Sequence, residues 1–80
     1  MQYHMIMSKA DKLLSKMKSN PRDWTPEQLR MVARHTGLKV RQRGTSHAVF
    51  TNDRGAHVTV PMHKPVKPVY VKQLLDLIEG

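Results

Sequence analysis

Leu38-Lys39-Val40-Arg41-Gln42-Arg43-Gly44-Thr45-Ser46-His47-Ala48-Val49-Phe50-Thr51 is where the hydrophobic pattern of the chain changes to a period of two. Leu38, Val40 and Gln42 fall on one side of an extended chain, and Lys39, Arg41 and Arg43 on the other. Gly44 and Thr45 read as a tight turn, with Gly44 its structural pivot. In the strand that follows, Ala48 and Phe50 face a core while His47, Val49 and Thr51 face outward. Asn52-Asp53-Arg54-Gly55 reads as a second turn. After it, Val58 and Val60 point in, and His57 and Thr59 point out. Three short strands joined by tight turns predict an antiparallel meander. Its inner face needs a cover, and its outer face is basic with His47 at the edge.

The flanking segments supply that cover. Upstream, Thr25 reads as a helix N-cap, Pro26 as the first helical residue and Gln28 as the partner in a capping box. Trp24 and Leu29 have hydrophobic-staple spacing across that cap. Leu29, Val32, Ala33 and Thr36 form its buried stripe, and Gly37 its left-handed stop, with Leu38 packing back. Downstream, Pro61 to Pro68 is rich in proline and lysine and reads as a stiff loop. Pro68 then opens a last helix with the stripe Val71, Leu74, Leu75 and Ile78. These elements make an α-β-β-β-α core over residues 25–80. An added N-terminal helix over 8–18 is capped by Ser8 and Asp11 and carries the stripe Ala10, Leu13, Leu14 and Met17. Residues 1–7 are expected to fray, with Met5 or Met7 as alternative starts. The whole chain of 80 residues reads as one α+β domain.

A domain this small buries only about 60% of its unfolded surface, so a site on it is expected to be shallow. Cysteine is absent, which excludes disulfide staples and thiolate metal sites and fits a reducing compartment. No apolar run approaches the roughly 20 residues of a membrane span. Met1 to Met7 lacks the charged leader and long apolar core of a signal peptide, so the cytoplasm is the expected location and no membrane partner is expected. The net charge of +8 points to a polyanion or an acidic protein as partner. With four aromatic residues (Tyr3, Trp24, Phe50, Tyr70), the chain is too poor in rings for a sheet that stacks several bases.

The basic outer face and its histidine suit one metal-free chemistry. In RNA cleavage, a base takes the 2′-hydroxyl proton, cations stabilise the phosphorane, and an acid protonates the leaving 5′-oxygen. Histidine titrates near neutrality and suits the proton transfers. Lys39, Arg41 and Arg43 suit the phosphate, as do Lys64 and Lys67 beside the N-terminus of the last helix. His57 and His63 are candidates for a second acid or a phosphate contact. His35 in the last turn of its helix reads as a dipole partner. His47, His57 and His63 lack zinc-site spacing, so neither metal nor cofactor is expected. A single histidine on a strand is more often a surface or structural residue. Spacing alone therefore leaves catalysis and a bland role both open.

The motif Gly44-Thr45-Ser46-His47, the run Val58-Thr59-Val60-Pro61 with His63, and Lys67-Pro68 leading into a helix together resemble the HicA toxins. These are small bacterial mRNA interferases of type II toxin–antitoxin systems. The resemblance covers roughly residues 25–80, and Lys9-Ala10-Asp11-Lys12-Leu13-Leu14 is similar to the start of a longer subset of the family. It implies a fold like a double-stranded-RNA-binding domain, endoribonuclease activity on mRNA, and a HicB-type antitoxin that covers the site. It maps the catalytic histidine onto His47 and the serine that follows the glycine onto Thr45. Met62 stands where family members often carry a basic residue before the second histidine, which leaves that phosphate contact absent or assigned to Lys64. The expected function is a translation-blocking ribonuclease with single-stranded RNA across the outer sheet face. The alternatives are a non-catalytic RNA-binding module of the same fold and a subunit that only binds an acidic protein.

Overall fold

A computed structural model describes residues 8–79; the stretch expected to fray, 1–7, lies outside them. The elements in chain order are α1 (Lys9–Ser19), α2 (Pro26–His35), β1 (Lys39–Arg43), β2 (His47–Thr51), β3 (His57–Pro61) and α3 (Pro68–Glu79). The three strands form an antiparallel sheet in the order β1-β2-β3. Three helices with this sheet make an α+β fold of the double-stranded-RNA-binding-domain kind, with α1 preceding the α-β-β-β-α core.

Pairing register divides the sheet into two chemically distinct faces. Val40, Phe50 and Val58 share one row of the inner face, and Gln42, Ala48 and Val60 the next. Phe50, Ala48 and Val60 are fully enclosed there with Leu29, Val32 and Ala33 of α2 and Val71 and Leu74 of α3. Each such apolar side chain larger than alanine stabilises the fold by about 1.5–3 kcal/mol on burial, which matters in a domain this small. Gln42 shares this face but is exposed at its end, where its amide accepts from Arg30 Nη2 and donates to the Gly44 carbonyl, both at 3.1 Å.

The helix boundaries follow their caps. Ser8 with Asp11, and Thr25 with Gln28, each form the reciprocal capping box expected from sequence. Gly37 takes φ +84°, and α2 ends with Leu38 N–H bonded to the Ala33 carbonyl and Gly37 N–H to the Arg34 carbonyl. That is a Schellman stop, which only a residue free to enter the left-handed region closes at low cost. In α1, Met17 is fully buried and Ala10 nearly so, while Leu13 and Leu14 pack partly buried against the core. Two polar contacts also join α1 to its neighbours: His35 Nε2–H donates to Asp11 at 2.6 Å, and Lys18 forms an ion pair with Glu79 at 3.1 Å.

Two departures from the periodic reading stand out. On α3, Leu77 is buried and Ile78 only partly so, because the helix end lies against the β2–β3 turn, where Asn52 Nδ2 reaches the Leu77 carbonyl at 3.5 Å. In the proline-rich segment, Val66 is 1% exposed and its N–H donates to the Trp24 carbonyl at 2.7 Å. Trp24 therefore does more than staple α2. Its indole N–H donates to the Asn20 carbonyl at 2.6 Å, and its backbone bridges to Val66. One residue ties the end of α1, the start of α2 and the loop before α3.

Candidate nucleic-acid interface

His47 is positioned by a hairpin. Gly44-Thr45-Ser46 forms the turn, Gly44 at φ +64°, and Arg43 pairs with His47 across it. On its other side His47 pairs with Pro61 of β3. Met62 N–H then donates to the Ser46 carbonyl at 2.6 Å, which carries the pairing one residue past the strand and ties the turn down. The His47 ring is exposed, with Nδ1 3.1 Å from Ser46 Oγ.

Alternation puts Lys39, Arg41 and Arg43 together on the outward face of the edge strand β1, all exposed. None of the three strands contains Asp or Glu, so this face has cations and histidines and no carboxylate. Among the described residues no carboxylate pairs with these three side chains. A broad groove of about 700 Å³ lies over the face, walled by Arg41, Arg43, Val49, Thr51, His57 and Thr59. His47 stands at its rim rather than in its wall; its cross-strand neighbour Arg43 is the wall residue.

The other candidates separate. His57 pairs with Thr51 at the far end of the sheet. Four residues along β3 separate it from Pro61, about 13 Å at ~3.3 Å per residue, so His47 and His57 do not meet at one phosphate. His63 is on the near side, one residue past the Ser46–Met62 bond, and exposed. Met62 packs partly buried against the core, and His63 follows it outside the strand. His63 and Lys67 line a small cleft of about 140 Å³ with Pro61, Pro65 and Tyr70. Lys64 is exposed and lines neither cavity. It lies within electrostatic reach of Glu27, whose carboxyl is held below its usual range mainly by a backbone N–H at the start of α2 and further by Lys64. Lys67 has a second role: its carbonyl accepts from Tyr70 and Val71 N–H at 3.0 and 3.3 Å and so begins α3. Thr45 is exposed in the turn.

Among the described residues no three His, Asp or Glu side chains cluster to hold a metal ion. The strand register accounts for this by spreading His47 and His57 to opposite ends. Sequence reading passed over Ser46 and Tyr70. Ser46 carried a signal, since it adjoins His47 in the chain; Tyr70 carried none, because α3 meets the end of β3 only in the folded molecule.

Fold and face together define a small basic α+β domain of the double-stranded-RNA-binding-domain kind, with a cationic sheet surface and a histidine at its edge. A family model described as "HicA toxin of bacterial toxin-antitoxin" matches residues 27–79. The chain belongs to this family; it is the toxin of a toxin–antitoxin system, and a cognate antitoxin is implied. No curated protein and no solved structure matches it. α1 and Trp24 lie before the matched span, although both contribute to the core. Among the described residues no helix is long and apolar enough to cross a membrane.

Proposed function

We propose that the protein is an endoribonuclease that cuts mRNA without a metal ion and is neutralised by a HicB-type antitoxin. The observation that carries this reading is the pairing of His47 with Arg43 on a sheet face free of carboxylates. Cross-strand partners have Cα atoms about 4.5–5.5 Å apart, within reach of one phosphate. Nδ1–H of His47 donates to Ser46 Oγ in the tautomer that leaves Nε2 with its lone pair. Nε2 takes the proton of a 2′-hydroxyl, and the 2′-oxygen attacks the adjacent phosphorus. Arg43 offsets the charge that develops on the phosphoryl oxygens. The bond from phosphorus to the 5′-oxygen breaks, that oxygen takes a proton, and the products carry a 2′,3′-cyclic phosphate and a 5′-hydroxyl. His63 is the better acid for the leaving oxygen, since His57 lies at the far end of the sheet. Arg41 and Lys39 hold flanking phosphates along the strand. The same cationic face suits an acidic antitoxin, which blocks the RNA path by occupying it.

The test is cleavage of a defined RNA in EDTA by the wild type and by His47→Ala, both first shown to be folded. Loss of a general base costs about 100- to 10,000-fold, so the variant is expected to be inert on the assay timescale. A substrate with 2′-deoxyribose at the cut is expected to survive. Equal cutting by both proteins, or cutting of the deoxy substrate, overturns the mechanism. RNA binding without scission leaves a non-catalytic binding module. That reading is favoured by one observation: among the described residues the His47 ring has Ser46 as its hydrogen-bond partner and no carboxylate paired with it.

A further inference from the structure

We propose that the cleft between the end of β3 and the first turn of α3 is a subsite for one nucleobase of the RNA, and that it chooses which phosphodiester meets His47. The proposal rests on the ribonuclease reading and adds recognition to it.

Size limits the occupant. At about 140 Å³ the cleft is well below the roughly 300–1,000 Å³ of pockets that enclose whole ligands. It accepts one planar ring system and leaves the rest of a nucleotide outside. Its lining suits such a ring: Pro61 and Pro65 are apolar rings and Tyr70 an aromatic one. His63 and Lys67 stand at the polar margin, both exposed, and no carboxylate lines the cleft. Apolar flat walls with a cationic margin match a base attached to an anionic backbone. Among the described residues the other aromatic rings are enclosed, Phe50 at 0% and Trp24 at 7% exposure, so Tyr70 is the ring left to stack.

Position links the cleft to the chemistry. Pro61, one of its walls, is the cross-strand partner of His47, about 5 Å away between Cα atoms. The Met62–Ser46 hydrogen bond holds the two segments in that relation. A base seated in the cleft therefore belongs to a nucleotide next to the phosphate at His47. The cleft is also preorganised. Val66 is anchored in the core and bonded to Trp24, prolines restrict the backbone at 61, 65 and 68, and Tyr70 N–H is tied to the Lys67 carbonyl.

Two measurements test this, and their failures are distinguishable. In the first, the wild-type protein is titrated with each of the four 5′-ribonucleoside monophosphates, and separately with inorganic phosphate, while ring signals of Tyr70 and His63 are followed by NMR. Nucleotides are expected to shift both rings, unequally among the four bases, and phosphate to leave Tyr70 unmoved. Nucleotide shifts confined to the sheet face, or a Tyr70 response equal to that of phosphate, overturn the subsite. In the second, a random-sequence RNA is cut by wild type, Tyr70→Phe and Tyr70→Leu, and the new ends are sequenced. Stacking on one aromatic ring predicts that Tyr70→Leu lowers kcat/KM about tenfold and flattens the base preference beside the cut, while Tyr70→Phe keeps both. An unchanged preference in Tyr70→Leu overturns the proposal. If the wild type cuts no RNA, the ribonuclease reading fails, and the nucleotide titration still decides whether the cleft takes a base.

Discussion

Val66→Ala separates the loop that carries His63 and Lys67 from the rest of the fold. Val66 is 1% exposed, and its N–H donates to the Trp24 carbonyl at 2.7 Å. Removing two buried methyl groups costs about 1.6 kcal/mol in transfer free energy, and the cavity left behind brings the total to about 2–3 kcal/mol. For a domain of this size each kcal/mol lowers Tm by about 4–8 °C, so a fall of about 8–24 °C is expected. Val32→Ala is the matched control, since Val32 is 0% exposed on α2 and far from the loop in sequence. Thermal melts followed by circular dichroism are expected to show comparable losses for the two variants. Amide hydrogen exchange, measured where both remain folded, is expected to separate them: residues 62–67 exchange faster in Val66→Ala alone, and RNA cleavage per folded molecule falls with it. A Tm change within about 2 °C contradicts the burial of Val66. Equal exchange over 62–67 in the two variants refutes the idea that this one side chain clasps the loop.

Gly44→Ala is expected to be mild, because a Cβ at position 44 meets nothing within 4 Å and the cost is the left-handed backbone alone. That is about 1 kcal/mol, or a Tm fall of about 4–8 °C; a loss more than twice as large in the melt contradicts the open space beside the turn. Asp11 is held below its usual carboxylate range, first by the hydrogen bond from His35 and then by the Ser8 cap. Its folded-state value lies below the unfolded one, so its contribution is present above the ordinary aspartate range of about pH 4 and disappears as pH falls through the lowered value. Melts between about pH 6 and pH 3 should therefore show a steeper acid loss in the wild type than in Asp11→Asn. Parallel curves would mean that the hydrogen bonds Asp11 receives from His35 and Ser8 contribute nothing. Replacing both Arg41 and Arg43 by Gln is expected to flatten the salt dependence of RNA affinity by about 0.7 per lost phosphate contact in log–log slope. An unchanged slope would move the RNA path off this face.

The local elements were legible because their determinants are local. Ser8 with Asp11, Thr25 with Gln28, and Gly37 name their helix ends through hydrogen bonds that span three or four residues. The alternation from Leu38 to Thr51 sorts its residues between two faces because strand side chains repeat every two positions. Burial was legible more loosely. Leu77 replaced Ile78 in the core, and Gln42, on the core side of β1, proved exposed, since the extent of helix cover depends on where the helices lie and not on the strand's own pattern.

For the site, the chain itself determined the cationic outer face, the outward position of His47 beside its turn, and the want of carboxylates on all three strands. Periodicity and composition suffice for these. Which histidines share one place was decided only by tertiary structure. Register carries His57 to the far end of the sheet, and the Met62–Ser46 bond keeps His63 near His47. The bridge of Trp24 to Val66, and the cleft in which Tyr70 meets Pro61, likewise join residues far apart in the chain. Contacts of that kind leave no period in a sequence, because they exist only once the sheet and helices have packed.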